Sequence, residues 1–456
     1  MTRRRTRATV PPLPTLPVPQ PVPEFVRLER EVELQFRPVL QAELERRIQA
    51  MPEARAGSPP CCGKCGATME SRGLAKVGWL CRFGGIAVPV RGYRCRPCKT
   101  SRRPLLEALG VEPGRVSGSL ARLLALLGTI VPYELAAFLA AELFSVEVSA
   151  MSVWRCAQRL GNTVAAEDAA RALYHADPHS EATVATDAPA VVVASADGCA
   201  LGMQPRTKRR RRRTPQEVLP PLPPLEEGHF REVKTGVLMA TRDRVETSPG
   251  RHSVVQRHLV TCLDDADALF ARLWAKLCEL GWHGPQTLVV VVGDGAEWLW
   301  NRASMFSNRV EILDFWHAIE KAWGFAHLRD GEESKASRRW IHRLTRELRA
   351  GKVLTVIARL KALELSTPEL GEKRDELVRY YTSNAQRMRY DEYLRRGYGI
   401  GSGSVESAHK QVVHARLRQA GMRWSVVGAQ HLLALRLLLL SRQWRQLDTL
   451  RLSTAA

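Results

Sequence analysis

The stretch PAVVVASADGCA (189–200) decides the fold class, together with its counterpart TLVVVVGDGAEW (287–298). In both, a run of valines leads into an Asp-Gly pair. Unbroken Val-rich runs suit strands buried on both sheet faces, where β-branched side chains pack well on the pleat. REVKTGVLMATR (231–242) and RVEILDFW (309–316) add two further β-type runs, while 315–397 reads as helical and charged. The expectation is an α/β domain over 187–317 and 398–425, with an all-helical insertion at 318–397.

Taken alone, an Asp-Gly pair more often marks a tight reversal than a site. Taken together, the two place Asp197 and Asp294 at strand ends, where a sheet edge can gather them. Clustered carboxylates repel one another unless cations intervene, and two divalent ions about 3.5–4 Å apart do this in phosphoryl-transfer sites. A third acid comes from GSGSVESAHK (401–410). Gly401 and Gly403 let the chain turn sharply, Ser402 or Ser404 can cap, and SVESAHKQVVHARLRQ (404–419) has a helical pattern. Glu406 would then complete the metal set, with Lys410 one turn on, facing the phosphate. A nucleotide-binding loop does not fit. The sixth position of GSGSVE is Glu406 where GxGxxG needs glycine, and no GxxxxGK[ST] occurs.

Charge narrows the partner. Lys and Arg total 68 against 47 Asp and Glu, a formal net charge of +21, which points to a polyanion. The apolar run LLALRLLLL (432–440) contains Arg436 and falls far short of the roughly 18 residues of a spanning helix. The basic N-terminus is followed by no apolar segment of signal-peptide type, so a cytoplasmic, nucleoid-associated protein without membrane contact is expected. In that compartment cysteines are reduced or metal-bound. Cys62-Gly-Lys-Cys65 and Cys95-Arg-Pro-Cys98 have the spacing of a zinc ribbon, a closed four-thiolate Zn2+ site that organises structure and leaves no position for chemistry. It would present Lys64, Arg94 and Arg96 to nucleic acid.

The remaining segments divide as follows: a disordered basic, Pro-rich arm at 1–24, an amphipathic helix at 25–57, the ribbon at 58–104, a helical DNA-binding domain at 105–165 and a C-terminal helix at 426–456. Residues 132–161 read either as a helix–turn–helix or as a plain helical hairpin. Ser149 or Ser152 would start its second helix, Gly161 would end it, and Trp154, Arg155, Gln158 and Arg159 would lie along it.

The strings ADG (196–198), REVKTG (231–236), GDGAEWLW (293–300), ILDFWHAIE (312–320), GSGSVESAHK and GMRWS (421–425) resemble the Kra-type transposases of bacterial insertion sequences. The likeness extends over most of the chain, since a CxxC…CxxC ribbon followed by PLLEALGVEPG (104–114) also looks like that family. The resemblance implies an RNase H-like catalytic domain of the DDE class, with Asp197, Asp294 and Glu406 as its acids. Asp314-Phe-Trp-His317 is similar to the DxxH motif of related transposases, which implies that His317 contacts the scissile phosphate.

On this reading two Mg2+ (or Mn2+) ions serve strand cleavage and transfer on double-stranded DNA, the element's terminal repeats and its target, by a chain that oligomerises to hold two ends. Expected phosphate contacts are Lys234, Lys410, Arg416, Arg418, Arg423, Arg155 and Arg159. The basic run Lys208, Arg209, Arg210, Arg211, Arg212 and Arg213, within a solvated loop at 204–229, would grip DNA without reading sequence. Trp298 and Trp424 either stack on a base or pack in the core. The competing expectations are a domesticated, catalytically silent DNA-binding protein and an RNase H-like nuclease.

Overall fold

A computed structural model describes residues 23–55, 58–111, 116–177, 182–204, 229–248, 251–263, 265–332 and 334–448. The basic run at 208–213 and nearly all of the arm at 1–24 lie outside the described residues. Two compact units emerge, residues 1–120 with 144–146, and residues 121–143 with 147–456. Of residues 105–165, expected to form a separate DNA-binding domain, 121–143 and 147–165 cluster with the large sheet.

In the first unit, helix α1 (Glu24–Gln49) precedes a long antiparallel hairpin, β1 (Glu70–Cys81) and β2 (Gly84–Arg94), with β3 (Ser101–Arg102) at its edge. A short helix, α2 (Pro104–Ala108), follows. Trp79, Ile86, Val88 and Val90 of the hairpin pack with Ile48 of α1 and Leu105 of α2.

The second unit begins with α3 (Gly118–Ile130, from Ala121), α4 (Tyr133–Phe144) and α5 (Ala150–Ala176). It continues with β4 (Val191–Gly202), β5 (Phe230–Ala240), a small hairpin of β6 (Arg244–Ser248) and β7 (Arg251–Val254), and β8 (His258–Cys262). Then come α6 (Ala266–Glu279), β9 (Leu288–Gly293), α7 (Glu297–Ala303) and β10 (Arg309–Leu313). The five-stranded mixed sheet has the order β10-β9-β4-β5-β8. β10, β9 and β4 run parallel, and β5 and β8 add two antiparallel pairings. Both faces are covered, as the valine runs require. Leu238 and Ala240 of β5 enter the core shared with α6 and α7, whereas Val233 and Val237 point into the opposite core.

After β10 comes a helical block: α8 (Phe315–Asp330), α9 (Lys335–Arg349), α10 (Val353–Lys361), α11 (Pro368–Asn384) and α12 (Tyr390–Arg395). The chain then returns to the sheet as α13 (Gly403–His409), a π-helical turn (Lys410–His414), α14 (Ala415–Leu417) and α15 (Val426–Leu440). A π turn shifts the helical hydrogen-bond ladder by one residue and changes which carbonyls are paired. Arg436, the residue interrupting the apolar run of α15, is 5% exposed and donates to the carbonyls of Gln411 and Val412 in that turn and of Thr129 at the end of α3. Burial, with Arg416 alongside, pushes Arg436 down to about 10.

Two sequence expectations about helix ends need correction. Ser149 caps α5, accepting from the Ser152 amide at 3.2 Å, but Gly161 does not end the helix, which runs on to Ala176. Gly161 is instead where α15 comes closest, since a Cβ there would lie 2.5 Å from the His431 carbonyl oxygen. Likewise Ser402 precedes α13 without a side-chain cap, because its hydroxyl is used elsewhere.

Candidate active site

The site begins with strand lengths. β4 pairs with β9 only as far as Ser195–Val292, while its pairing with β5 continues through Asp197–Thr235 to Gly202–Phe230. Asp197 is therefore not at a strand end, as expected, but at the point where β4 outruns its parallel neighbour. Asp294 follows immediately after β9, so the two acids lie level, each two residues beyond the last β4–β9 pair. Gly198 is not in a turn; it faces Glu232, and a Cβ there would collide with that side chain. Gly295, at φ +99°, does turn the chain, and it needs glycine for that backbone.

Each of these acids has one oxygen fixed by a local amide. Asp197 Oδ1 accepts from Gly198 N at 2.7 Å and Asp294 Oδ1 from Ala296 N at 3.0 Å. Asp197 Oδ2 lies 3.3 Å from Nδ1 of His409, which is 4% exposed. Burial pushes Asp197 up, but the His409 hydrogen bond and charge outweigh it, so the carboxyl sits below its usual range. His409 escaped the sequence reading, although the signal was present: it lies one helical turn after Glu406 on the same helix.

Asp314, fully buried, joins β10 to α8 and gathers four donors. Its Oδ1 accepts the amides of Trp316 (2.6 Å) and His317 (3.1 Å), and its Oδ2 accepts the amide (2.5 Å) and hydroxyl of Ser402. This clamp holds the 401–403 turn against the head of α8 and thereby sets where Glu406 stands. Burial raises Asp314, but His317 and Ser402 more than compensate, bringing it to about 2. His317 Nδ1 is 3.6 Å from Asp314 Oδ2, an ion pair at that range. The Asp314 carboxylate, against the opposing effect of burial and with help from Asp294, lifts His317 to about 9.

Among the described residues, the acids and imidazoles whose ligand atoms all lie within 4.8 Å of one another are Asp314, His317 and Glu406. This group could bind a metal. Asp197 and Asp294 stand outside it, so the three acids singled out from sequence do not form a preformed carboxylate cage. Glu406, itself exposed, stands instead beside Asp314 and His317.

The expected phosphate contacts are distributed differently. Lys410, Arg418 and Arg155 are exposed, and Arg423 is half-buried. Arg159 is also half-buried and has interactions of its own. Lys234 is 7% exposed, paired with Glu232, its ammonium 4.4 Å above the Trp298 ring. Arg416 must be withdrawn as a DNA contact. It is 1% exposed, donates to the Gly128 carbonyl and lies over the rings of Tyr133 and Trp424. Trp424, 9% exposed and bonded through Nε1 to the Leu417 carbonyl, is a core residue.

A groove of about 1370 Å³ opens beside Glu406, lined also by Arg244, Arg257, Arg349, Arg442 and Trp316. Arg257 anchors its wall by donating to the Ser404 carbonyl (3.2 Å) and to Gln411 (2.5 Å). Trp316 is 60% exposed, which makes it the aromatic best placed to meet a ligand. None of these arginines stood out in sequence, since they come from separate segments.

In the first unit, Cys62, Cys65, Cys95 and Cys98 bring their Sγ atoms within 4.8 Å of one another, a donor set that could hold zinc. Thr100 and the amides of Lys64 and Cys65 hydrogen-bond Cys62 and bring it down to about 6, whereas the neighbouring thiols and burial hold Cys95 and Cys98 up, so the cluster by itself favours a thiolate at Cys62. Cys61 is exposed and Cys81 is buried in the hairpin core, and neither belongs to the cluster. Among the described residues no helix is long and apolar enough to cross a membrane. No family model matches the chain, and no curated protein matches it.

Proposed function

We propose that the chain is a DDE-class DNA transposase of the Kra-type insertion sequences, with an RNase H-like catalytic domain. The observation that carries this reading is the placement of Asp197 and Asp294 level on adjacent parallel strands, with the helix bearing Glu406 packed against β4 and β5. The sheet order and the helical block between β10 and α13 are in keeping with it.

Asp197, Asp294 and Glu406 would hold the Mg2+ or Mn2+ pair, whose chemistry there would be to activate the attacking hydroxyl and stabilise the leaving oxygen of an in-line displacement. Asp314 already accepts four hydrogen bonds, so on this reading its role is to position the turn before Glu406. His317, protonated at neutral pH, donates to a non-bridging phosphate oxygen at the cleavage point. Lys410 and the arginines of the groove bind backbone phosphates, which fixes DNA without reading its sequence. The four-cysteine ribbon would hold structural Zn2+ and carry Lys64, Arg94 and Arg96 to the terminal repeats.

The test uses full-length chain, Mg2+, and duplexes carrying the ends of the flanking element. Cleavage and strand transfer are expected, and Asp294→Asn should reduce both by about 1,000-fold with folding and zinc content unchanged. Wild-type cleavage in that variant removes Asp294 from the site. Tight DNA binding with no cleavage in either Mg2+ or Mn2+ favours the silent DNA-binding alternative.

A further inference from the structure

We infer that α1 pairs with α1 of a second copy of this chain, antiparallel and two-fold symmetric about Val32. The helix has two apolar faces. Its C-terminal half packs on the hairpin through Leu44 and Ile48, with Gln41 donating to the Phe83 carbonyl and Glu45 accepting the Ala87 amide. The opposite side carries Phe25, Leu28, Val32, Phe36 and Val39, which are 70%, 46%, 54%, 54% and 57% exposed. At 100° per residue these five fall within about 80° of the helix circumference, a continuous stripe. A surface helix with an uncovered stripe of this kind lacks the packing that ordinarily stabilises it.

Three features select the occupant. The stripe is spaced three, four, four and three residues apart, which reads the same in both directions from Val32. In an antiparallel pair Phe25 therefore meets the partner's Val39, Leu28 meets the partner's Phe36, and Val32 meets the partner's Val32. Such self-complementarity is what an isologous two-fold interface demands and what a different partner would have no reason to match. Charge excludes a polyanionic occupant. Although the whole chain is strongly basic, residues 24–40 carry four acids (Glu24, Glu29, Glu31, Glu33) against three arginines (Arg27, Arg30, Arg37). Ser145, from another segment, donates to Glu33 on the flank and leaves the stripe open. Covering both stripes removes on the order of 1,000 Å², the low end for a specific interface, so the dimer should be weak.

Sedimentation velocity on the full chain without DNA tests this. A monomer–dimer equilibrium is expected between about 1 and 100 μM. Val32→Glu, which sets like charges on the axis, should raise the dissociation constant at least about ten-fold. The register is read by charge swap. Leu28→Glu and Phe36→Lys should each be monomeric alone and form a one-to-one dimer when mixed, whereas Leu28→Glu mixed with Val39→Lys should not. A wild-type chain monomeric throughout, a dimer indifferent to these substitutions, or rescue independent of register overturns the inference. The measurement involves neither DNA nor divalent ions, so its failure and the failure of the transposase reading are separately visible.

Discussion

The four-cysteine cluster and the acid-lined end of the sheet both collect polar side chains, but they are built over different lengths of chain. Cys62 to Cys98 belong to one hairpin and its two flanking turns, so local geometry alone brings the thiols together. Asp197, Asp294, the Asp314–His317 pair and Glu406 come from four separate places, and only the register of β4 against β9 and the clamp at Asp314 bring them to one end of the sheet. On the zinc reading, the first region should draw its stability from the metal and the second from the protein scaffold. The comparison can be broken at either end.

The largest effect belongs to the ribbon. On the zinc reading, a chelator, or Cys95→Ser at the fully buried member of the cluster, should unfold residues 58–104 while the sheet of the second unit keeps its hydrogen-exchange protection. About one zinc per chain should be lost in parallel. If protection in β1 and β2 persists after metal removal, the hydrophobic packing around Trp79 and Val88 suffices and the contrast fails.

Next comes the clamp. Asp314→Ala leaves the Ser402 amide and hydroxyl, both buried, and two partly buried α8 amides without their acceptor. A loss of about 3–5 kcal/mol in urea unfolding is expected, because removing one partner of a buried charged cluster strands the others. A loss below about 1 kcal/mol would mean that the 401–403 turn is held by other contacts.

How far each region was legible in the sequence follows from the same contrast. The CxxC pairs disclosed their cluster because spacing is local. The valine runs disclosed buried strands, and the acids at 197, 294 and 406 could be picked out individually. What the sequence withheld was register. Nothing local shows that β4 continues past Asp197, or that α5 continues past Gly161. Nor could it show that Asp314 is consumed by Ser402, or that Arg416 turns inward to the Gly128 carbonyl while Arg418, two residues on, stays exposed. The arginines of the groove were invisible for the same reason, being neighbours only after folding.

Gly161→Ala tests one such hidden register. Alanine is the better helix former by about 1 kcal/mol, so propensity alone predicts stabilisation. Its Cβ, however, would meet backbone of α15 at 2.5 Å, and backbone cannot swing aside as a side chain can. A net destabilisation of about 1–3 kcal/mol is expected. Gly198→Ala, whose obstruction is the movable Glu232 side chain, should cost less. The reverse ranking would show that α5 and α15 are less closely apposed than 2.5 Å implies.

The smallest effect concerns protons at the sheet end. In metal-free protein, His317 is raised from 6.5 to about 9, so its ion pair with Asp314 contributes fully below pH 6.5 and is lost as pH rises through about 9. Asp314 is lowered from 3.8 to about 2, so its own contribution holds above pH 3.8 and disappears only as pH falls through about 2. The difference in urea stability between wild type and His317→Ala should therefore be flat from about pH 4 to 6.5 and shrink toward pH 9. Because the His317 side chain is 30% exposed, solvent screening should keep that difference near about 1 kcal/mol. Adding Mg2+ sharpens the test. A divalent ion drawn to Glu406 and Asp294 opposes the imidazolium, and the alkaline loss should move to lower pH. A difference that grows between pH 7 and 9 would reverse the sign and separate His317 from the acids on which the catalytic reading depends.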